Sequence, residues 1–185
     1  YGASGTGKSA YARYLADKLG LEVVQRRASD LISCYVGETE QNIAKAFELL
    51  LDCGKRGGMV MTCGNGGSAA DATHIVGELM KGFKLHRPLS NDEKQAIADA
   101  CPDDGEYLGS RLQKGIRAVS LDDQTAIGTA VANDNGADML FAQQVYGYGR
   151  EGDVLIGLST SGNSGNVVRA CQVAKAIGVK VVAMT

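Results

Sequence analysis

The chain has 185 residues, room for one α/β domain with a small appended piece. Its hydrophobic content of 44% permits a core, and a formal net charge of -2 with mixed signs argues against a nucleic-acid surface or a charged membrane patch. Five scattered cysteines (Cys34, Cys53, Cys63, Cys101, Cys171) form no CxxC and read as reduced thiols of a cytoplasmic protein, while no apolar run nears the roughly 20 residues of a membrane span and no segment is expected to act as a signal peptide.

In chain order, Tyr11, Leu15 and Leu19 share a helical face beside Ala12 and Ala16, with Gly20 as the stop. Leu21 to Val24 predicts a short strand. Gln41 to Cys53 gives the clearest amphipathic helix, with Ile43, Phe47, Leu50 and Leu51 at i, i+4, i+7 and i+8. Met59 to Cys63 is an apolar strand that runs into a glycine-rich loop, and a helix follows from Ser68 to about Gly82. Residues 84 to 115 are more polar, hold both prolines, Pro88 and Pro102, and read as an insertion with one helix near Asp92 to Ala100. Beyond it, Ala118 to Leu121 is a strand, and Gln124 to Ala132 and Ala137 to Tyr146 are helices. Val154 to Leu158 is a strand entering a serine-rich loop, Asn166 to Ile177 a helix, and Val179 to Met184 a last strand. Strands separated by helices of this length predict a parallel sheet covered on both faces, a Rossmann-like three-layer α/β sandwich. The two loops then fall at strand C-terminal ends, where open α/β sheets hold ligands.

Two phosphate-cradling signatures compete. The first is Gly2-Ala3-Ser4-Gly5-Thr6-Gly7-Lys8-Ser9, a complete GxxxxGK[ST]. In such a loop the backbone N–H groups around Gly5, Thr6 and Gly7 wrap a β-phosphate, Lys8 neutralises β/γ charge, and Ser9 meets Mg²⁺. With Ala28-Ser29-Asp30-Leu31 and Tyr35-Val36-Gly37-Glu38-Thr39-Glu40, this stretch resembles the start of an AAA+ ATPase module over about residues 1–48. Hydrolysis also needs an acidic residue ending an apolar strand. The one candidate, Ala118-Val119-Ser120-Leu121-Asp122-Asp123, is distant and carries a serine inside the strand. The alternatives for this segment are Mg·ATP binding and a plain packing scaffold.

The second signature joins Cys63-Gly64-Asn65-Gly66-Gly67-Ser68 to Ser159-Thr160-Ser161-Gly162-Asn163-Ser164. The latter places four hydroxyl residues within six positions just before a helix, where a phosphomonoester gains hydrogen bonds and the favourable end of the dipole; the plainer alternative is a turn with an N-cap serine. Glu78 follows His74 by four residues on one helix face, which alone suits an exposed polar pair. A carboxylate so placed could also move a proton between adjacent carbons.

From about Phe47 onward these residues resemble the SIS-domain phosphosugar isomerases, closest to the phosphoheptose (sedoheptulose 7-phosphate) isomerases. Ala69-Ala70-Asp71, Asn133-Asp134 and Gly152-Asp153-Val154-Leu155-Ile156 extend the match in family order. The resemblance implies a sugar phosphate as ligand, with Glu78 as a catalytic residue and His74 as a metal ligand, zinc being the metal of that reading. It also implies sugar or phosphate contacts by Asn65, Ser68, Asp122, Ser159, Thr160, Ser161 and Ser164, with Asn65 and Ser68 acting across a subunit boundary of a homo-oligomer. The register among Asp122, Asp123 and Gln124 stays open. A histidine on a C-terminal helix partners the glutamate in that family, and the sequence stops at Thr185 before it, so impaired activity is expected. The P-loop likewise has only Tyr1 before it, so both ends read as cut. The sequence therefore suggests a chimera, an ATPase-like piece (1–48) and an isomerase-like domain (49–185) joined within about residues 42 to 50, the alternatives being one continuous sheet across both and a designed scaffold without ligand.

Overall fold

The computed structural model describes residues 36–185, with side chains from residue 41. The P-loop residues Gly5, Thr6, Gly7, Lys8 and Ser9, the helix expected around Leu15 and the strand expected at Leu21 lie outside the described residues. The chain divides into two compact units, Tyr1–Ala44 and Lys45–Thr185, and the fold below is that of the second.

Helix α1 (Val36–Lys55) leads into β1 (Val60–Cys63) and α2 (Gly67–Met80). Two short helices follow, α3 (Asn91–Ala100) and α4 (Gly105–Arg111), then β2 (Ala118–Ser120) and a 3-10 turn (Leu121–Asp123). The chain continues through α5 (Thr125–Asp134), a 3-10 turn (Ala137–Met139), α6 (Leu140–Tyr148), β3 (Val154–Leu158), α7 (Gly165–Ala176) and β4 (Lys180–Met184). The strands form one parallel sheet in the order β2-β1-β3-β4. Val60 lies opposite Ala118 on one side and Val154 on the other, and Val154 lies opposite Lys180.

Period-two alternation splits the core into two layers. Met61, Cys63 and Leu155 point to one face and pack with Phe141 and Val145 of α6 and Val167, Ala170 and Ala174 of α7. Val60, Val154, Ile156 and Leu158 point to the other and pack with Cys53 of α1 and Ala72 of α2. Thr62 lies in this second apolar layer and is fully buried; its hydroxyl donates to the Ala72 carbonyl at 3.1 Å, which removes the penalty of an unpaired group. Each fully buried aliphatic side chain here contributes about 1.5–3 kcal/mol.

The alternation therefore gives the expected parallel α/β sandwich, and the expected Val154–Leu158 strand has the same bounds in the structure. Two local expectations change. The helix expected at Gln41 to Cys53 is longer, and it runs unbroken through the expected junction at 42 to 50. Within the second unit its apolar stripe is divided: Leu50 and Cys53 pack on the sheet, whereas Phe47 and Leu51 are more than half exposed. The insertion holds two helices rather than one. The second, α4, escapes notice because its sequence Gly-Glu-Tyr-Leu-Gly-Ser-Arg carries two glycines. Those glycines serve packing: a Cβ on Gly105 would collide with the Ala98 backbone of α3, so only glycine lets the two helices approach this closely.

Candidate functional site

The sheet order places the site. From β1 the chain turns into α2 on one face of the sheet, and from β3 it turns into α7 on the opposite face. Since β1 and β3 are neighbours, their diverging loops open a crevice at the strand C-terminal ends, a topological switch point.

The glycine loop (residues 64–66) follows β1. A Cβ on Gly64 would lie 2.7 Å from the Ser68 backbone, so this position is closed to any larger residue. The Ser68 N–H donates to the Asn65 carbonyl at 3.0 Å and closes the turn into α2. Asn65 is exposed and Ser68 half-buried at the start of the helix.

The serine loop follows β3. Ser159 is buried, and its hydroxyl lies 2.9 Å from that of Ser164 and 3.4 Å from that of Ser161. The Gly162 N–H donates to the Ser159 carbonyl at 2.9 Å, and the Asn163 N–H donates to Ser161 Oγ at 3.3 Å. Ser159 and Ser164 thus tie the loop internally, while Thr160 and Ser161 stay exposed at its rim. The N–H groups of Gly165 and Asn166 in the first turn of α7 bond to no described residue. Free helix-terminal donors beside exposed hydroxyls are what an anionic oxygen requires.

The two loops touch. Asn65 Nδ2 donates to Asn166 Oδ1, and Asn166 Nδ2 donates back to Asn65 Oδ1, each at 2.9 Å. Beneath them Asp122, on the 3-10 turn after β2, accepts from the Gly64 N–H at 3.3 Å and from the Ser120 hydroxyl at 3.2 Å. Burial pushes this carboxyl up to about 6, against the opposing pull of the Gly64 and Ser120 hydrogen bonds, with Asp123 adding a further push. The two neighbouring carboxylates have different surroundings. Asp122 turns inward to the glycine loop, whereas Asp123 is exposed and meets the Thr73 hydroxyl of α2 at 3.4 Å. Gln144 of α6 supports this turn by donating to the Leu121 carbonyl at 3.1 Å. Cys63 lies buried at the base of the crevice with its thiol pushed up, first by burial and then by Cys171 and Asp122, so it stays protonated and inert.

His74 and Glu78 sit apart. Their side chains pair at 3.7 Å and are 77% and 41% exposed. Glu78 lies near the C-terminal end of α2, roughly 16 Å along the axis from Gly67 at about 1.5 Å per residue. The Arg87 guanidinium donates to the Glu78 and Leu79 carbonyls and caps that end. One chain therefore gathers Asn65, Ser68, Asp122 and the serine loop but does not bring Glu78 to them. Among the described residues no three His, Cys, Asp or Glu side chains assemble as a metal centre. His74 and Glu78 offer two donors, fewer than the three or four of a zinc site. Sequence reasoning missed Asn166, Thr73 and Gln144. Asn166 looks like an ordinary first-turn residue, and its partner is distant in the chain.

Comparison with known proteins follows the same lines. The SIS domain family model matches residues 25–98 and 110–185. The match thus starts inside the stretch that resembles an ATPase and omits part of the α3–α4 region. The phosphoheptose isomerase of Akkermansia muciniphila is 40% identical over 144 residues, covering 78% of this chain and 62% of that protein. That of Yersinia enterocolitica is 39% identical over 143 residues, covering 77% and 60%. The chain thus spans about three fifths of the length of these relatives. The structure of a phosphoheptose isomerase from Neisseria gonorrhoeae superposes with a TM-score of 0.64 at 31% identity, over 96% of this chain and 74% of that one. One from Francisella tularensis gives 0.60 at 28% identity, over 85% and 75%. Among the described residues no helix is long and apolar enough to cross a membrane.

Proposed function

Because the chain belongs to the SIS domain family, we propose that it binds a sugar phosphate at the crevice between β1 and β3, with sedoheptulose 7-phosphate as the ligand of first choice. The observation that carries this reading is the meeting of two loops at the switch point, with exposed Thr160 and Ser161 and the free N–H groups of Gly165 and Asn166. The phosphate monoester is held by those donors and by the positive end of α7. Asn65, Ser68 and Asp122 meet the sugar hydroxyls, Asp122 as an acceptor when ionised. Ser159 and Ser164 fix the shape of the loop.

In an aldose–ketose isomerisation a base removes a proton from the carbon beside the carbonyl, giving an enediol, and the proton returns at the neighbouring carbon. Glu78 is the group assigned to that base. Its distance from the serine loop within one chain supports a site shared between copies, with Glu78 of one subunit meeting sugar held by another. A zinc ion held by His74 and Glu78 would need further donors from elsewhere.

Thermal unfolding with sedoheptulose 7-phosphate and, separately, with Mg·ATP tests the reading. A ligand specific to the folded state adds about 2.7 kcal/mol of stability at a hundred times its Kd, a rise of roughly 5–10 °C for a domain of this size. The expected result is a rise with the sugar phosphate that Ser161→Ala removes. A rise with Mg·ATP alone, abolished by Lys8→Ala, would instead make the GxxxxGK[ST] loop the working site and overturn the proposal.

A further inference from the structure

We propose that Asn166 is a positioning residue: through its reciprocal amide pair with Asn65 it holds the glycine loop against the serine loop and fixes the direction in which Asn65 meets a sugar. The inference rests on the sugar-phosphate reading above.

An asparagine amide can be turned either way unless a neighbour decides it. Here the Val167 backbone N–H donates to Asn166 Oδ1 at 3.0 Å, and an N–H can meet only an acceptor there. The oxygen of Asn166 is thereby assigned, and its NH₂ group must point the other way. Asn65 then has one matching arrangement, with its Nδ2 on Asn166 Oδ1 and its Oδ1 on Asn166 Nδ2. The backbone of α7 thus dictates the amide orientation of a residue on another loop, across 101 positions of sequence.

The pair is also the bridge. Among the described residues these two bonds are the only side-chain hydrogen bonds between the glycine loop and the serine loop. Each joins a helix start on one face of the sheet to a helix start on the other. Asn166 Oδ1 accepts from both Val167 and Asn65, so its lone pairs are filled. Asn65 keeps one N–H and one lone pair free, and it is exposed at the strand C-terminal ends. The Asn166 side chain therefore has little left to offer a ligand, whereas Asn65 has both a donor and an acceptor in a fixed direction. The division of labour follows: the serine loop takes the phosphate, Asn65 takes a sugar hydroxyl, and Asn166 holds Asn65 in register between them.

The test is a double-mutant cycle on the full chain with Asn65→Ala, Asn166→Ala and the double variant, plus Asn166→Asp. Each is titrated with sedoheptulose 7-phosphate and with inorganic phosphate, and each is melted without ligand. The expected result is a loss of about tenfold in sugar-phosphate affinity for either alanine variant and the same tenfold, rather than a hundredfold, for the pair. Inorganic phosphate affinity should stay within about twofold in the three alanine variants, because the side chains of residues 159–164 and the backbone N–H groups of α7 are untouched. Asn166→Asp keeps an oxygen facing Val167 and Asn65 but sets a negative charge at the anion-binding turn, so it should weaken both ligands together. In the alanine variants, multiplying losses would overturn the proposal, as would an equal fall for both ligands, which would mark a merely structural role. If the unsubstituted chain binds neither ligand, the parent reading fails and the assignment of Asn65 to sugar fails with it. The melting series then decides the bridge by itself: a double variant no less stable than either single upholds it, and additive Tm losses refute it.

Discussion

The sheet core and the α3–α4 insertion are built by different physics. In the core, Val60, Met61, Leu155 and Val145 are fully or almost fully removed from water, and order comes from area buried by alternating strands. In the insertion neither α3 nor α4 buries a single large apolar side chain. It is held instead by polar clamps and by backbone approach. Ser90 and Glu93 form a capping box, Lys114 pairs with Glu93 at 3.0 Å, and Gln113 Oε1 accepts from the N–H groups of Gly82 and Arg87. Pro88 and Gln113 bridge the two ends of the excursion. The core can carry a ligand site because its loops are anchored in a buried layer, whereas the insertion is tied to that layer only through polar contacts at its ends, such as those of Arg87 and Gln113.

Substitutions should separate the two regions. The largest effect is expected from Leu155→Ala, which empties a fully buried position and should cost about 3 kcal/mol in denaturant unfolding, lowering Tm by roughly 6–12 °C. Gly105→Val should push α4 off α3 at a local cost of about 1–3 kcal/mol. Hydrogen exchange should then show lost protection in α3 and α4 with β1 and β3 unchanged. A global loss equal to that of Leu155→Ala would show the insertion to be part of the core.

Asp122 gives a pH-dependent effect of intermediate size. Its carboxyl is raised from 3.8 to about 6, chiefly by burial, so the folded state holds its proton more tightly than the unfolded chain does. Stability from this group is complete below about pH 4 and is lost as pH rises through about 6. Asp122→Asn should therefore stabilise the protein by about 1 kcal/mol at pH 7.5, allowing for solvent screening of a half-exposed group, and by almost nothing near pH 4. The smallest effect is expected at Glu93, held down to about 2 by the Ser90 hydroxyl, then the Ser90 N–H and Lys114. Its contribution is present above about pH 4.5 and fades as pH falls toward 2, so Glu93→Gln should flatten acid exchange rates in α3 and leave the core Tm unchanged.

The same division explains what the sequence made legible. Val154-Leu155-Ile156 and Val60-Met61 announce buried strands because burial on both faces leaves a continuous apolar run. The glycine and serine loops were legible because their residue types are chemically specific for anions. Helix α4 was hidden because what it needs is glycine at a close crossing, a requirement that reads locally as helix breaking. The exposure of Phe47 and Leu51 on α1 was not legible, because periodicity tells which residues share a face but not what that face meets. Asn166 was missed for a third reason: its role exists only once Asn65 is brought beside it.

The most direct test of the central claim is a backbone and side-chain amide NMR titration with sedoheptulose 7-phosphate. The account predicts shifts confined to two loops, residues 64–68 and 159–167, moving together with one saturation curve, while α3 and α4 stay silent. Shifts centred on the α3–α4 region, or on residues 2–9 alone, would contradict it.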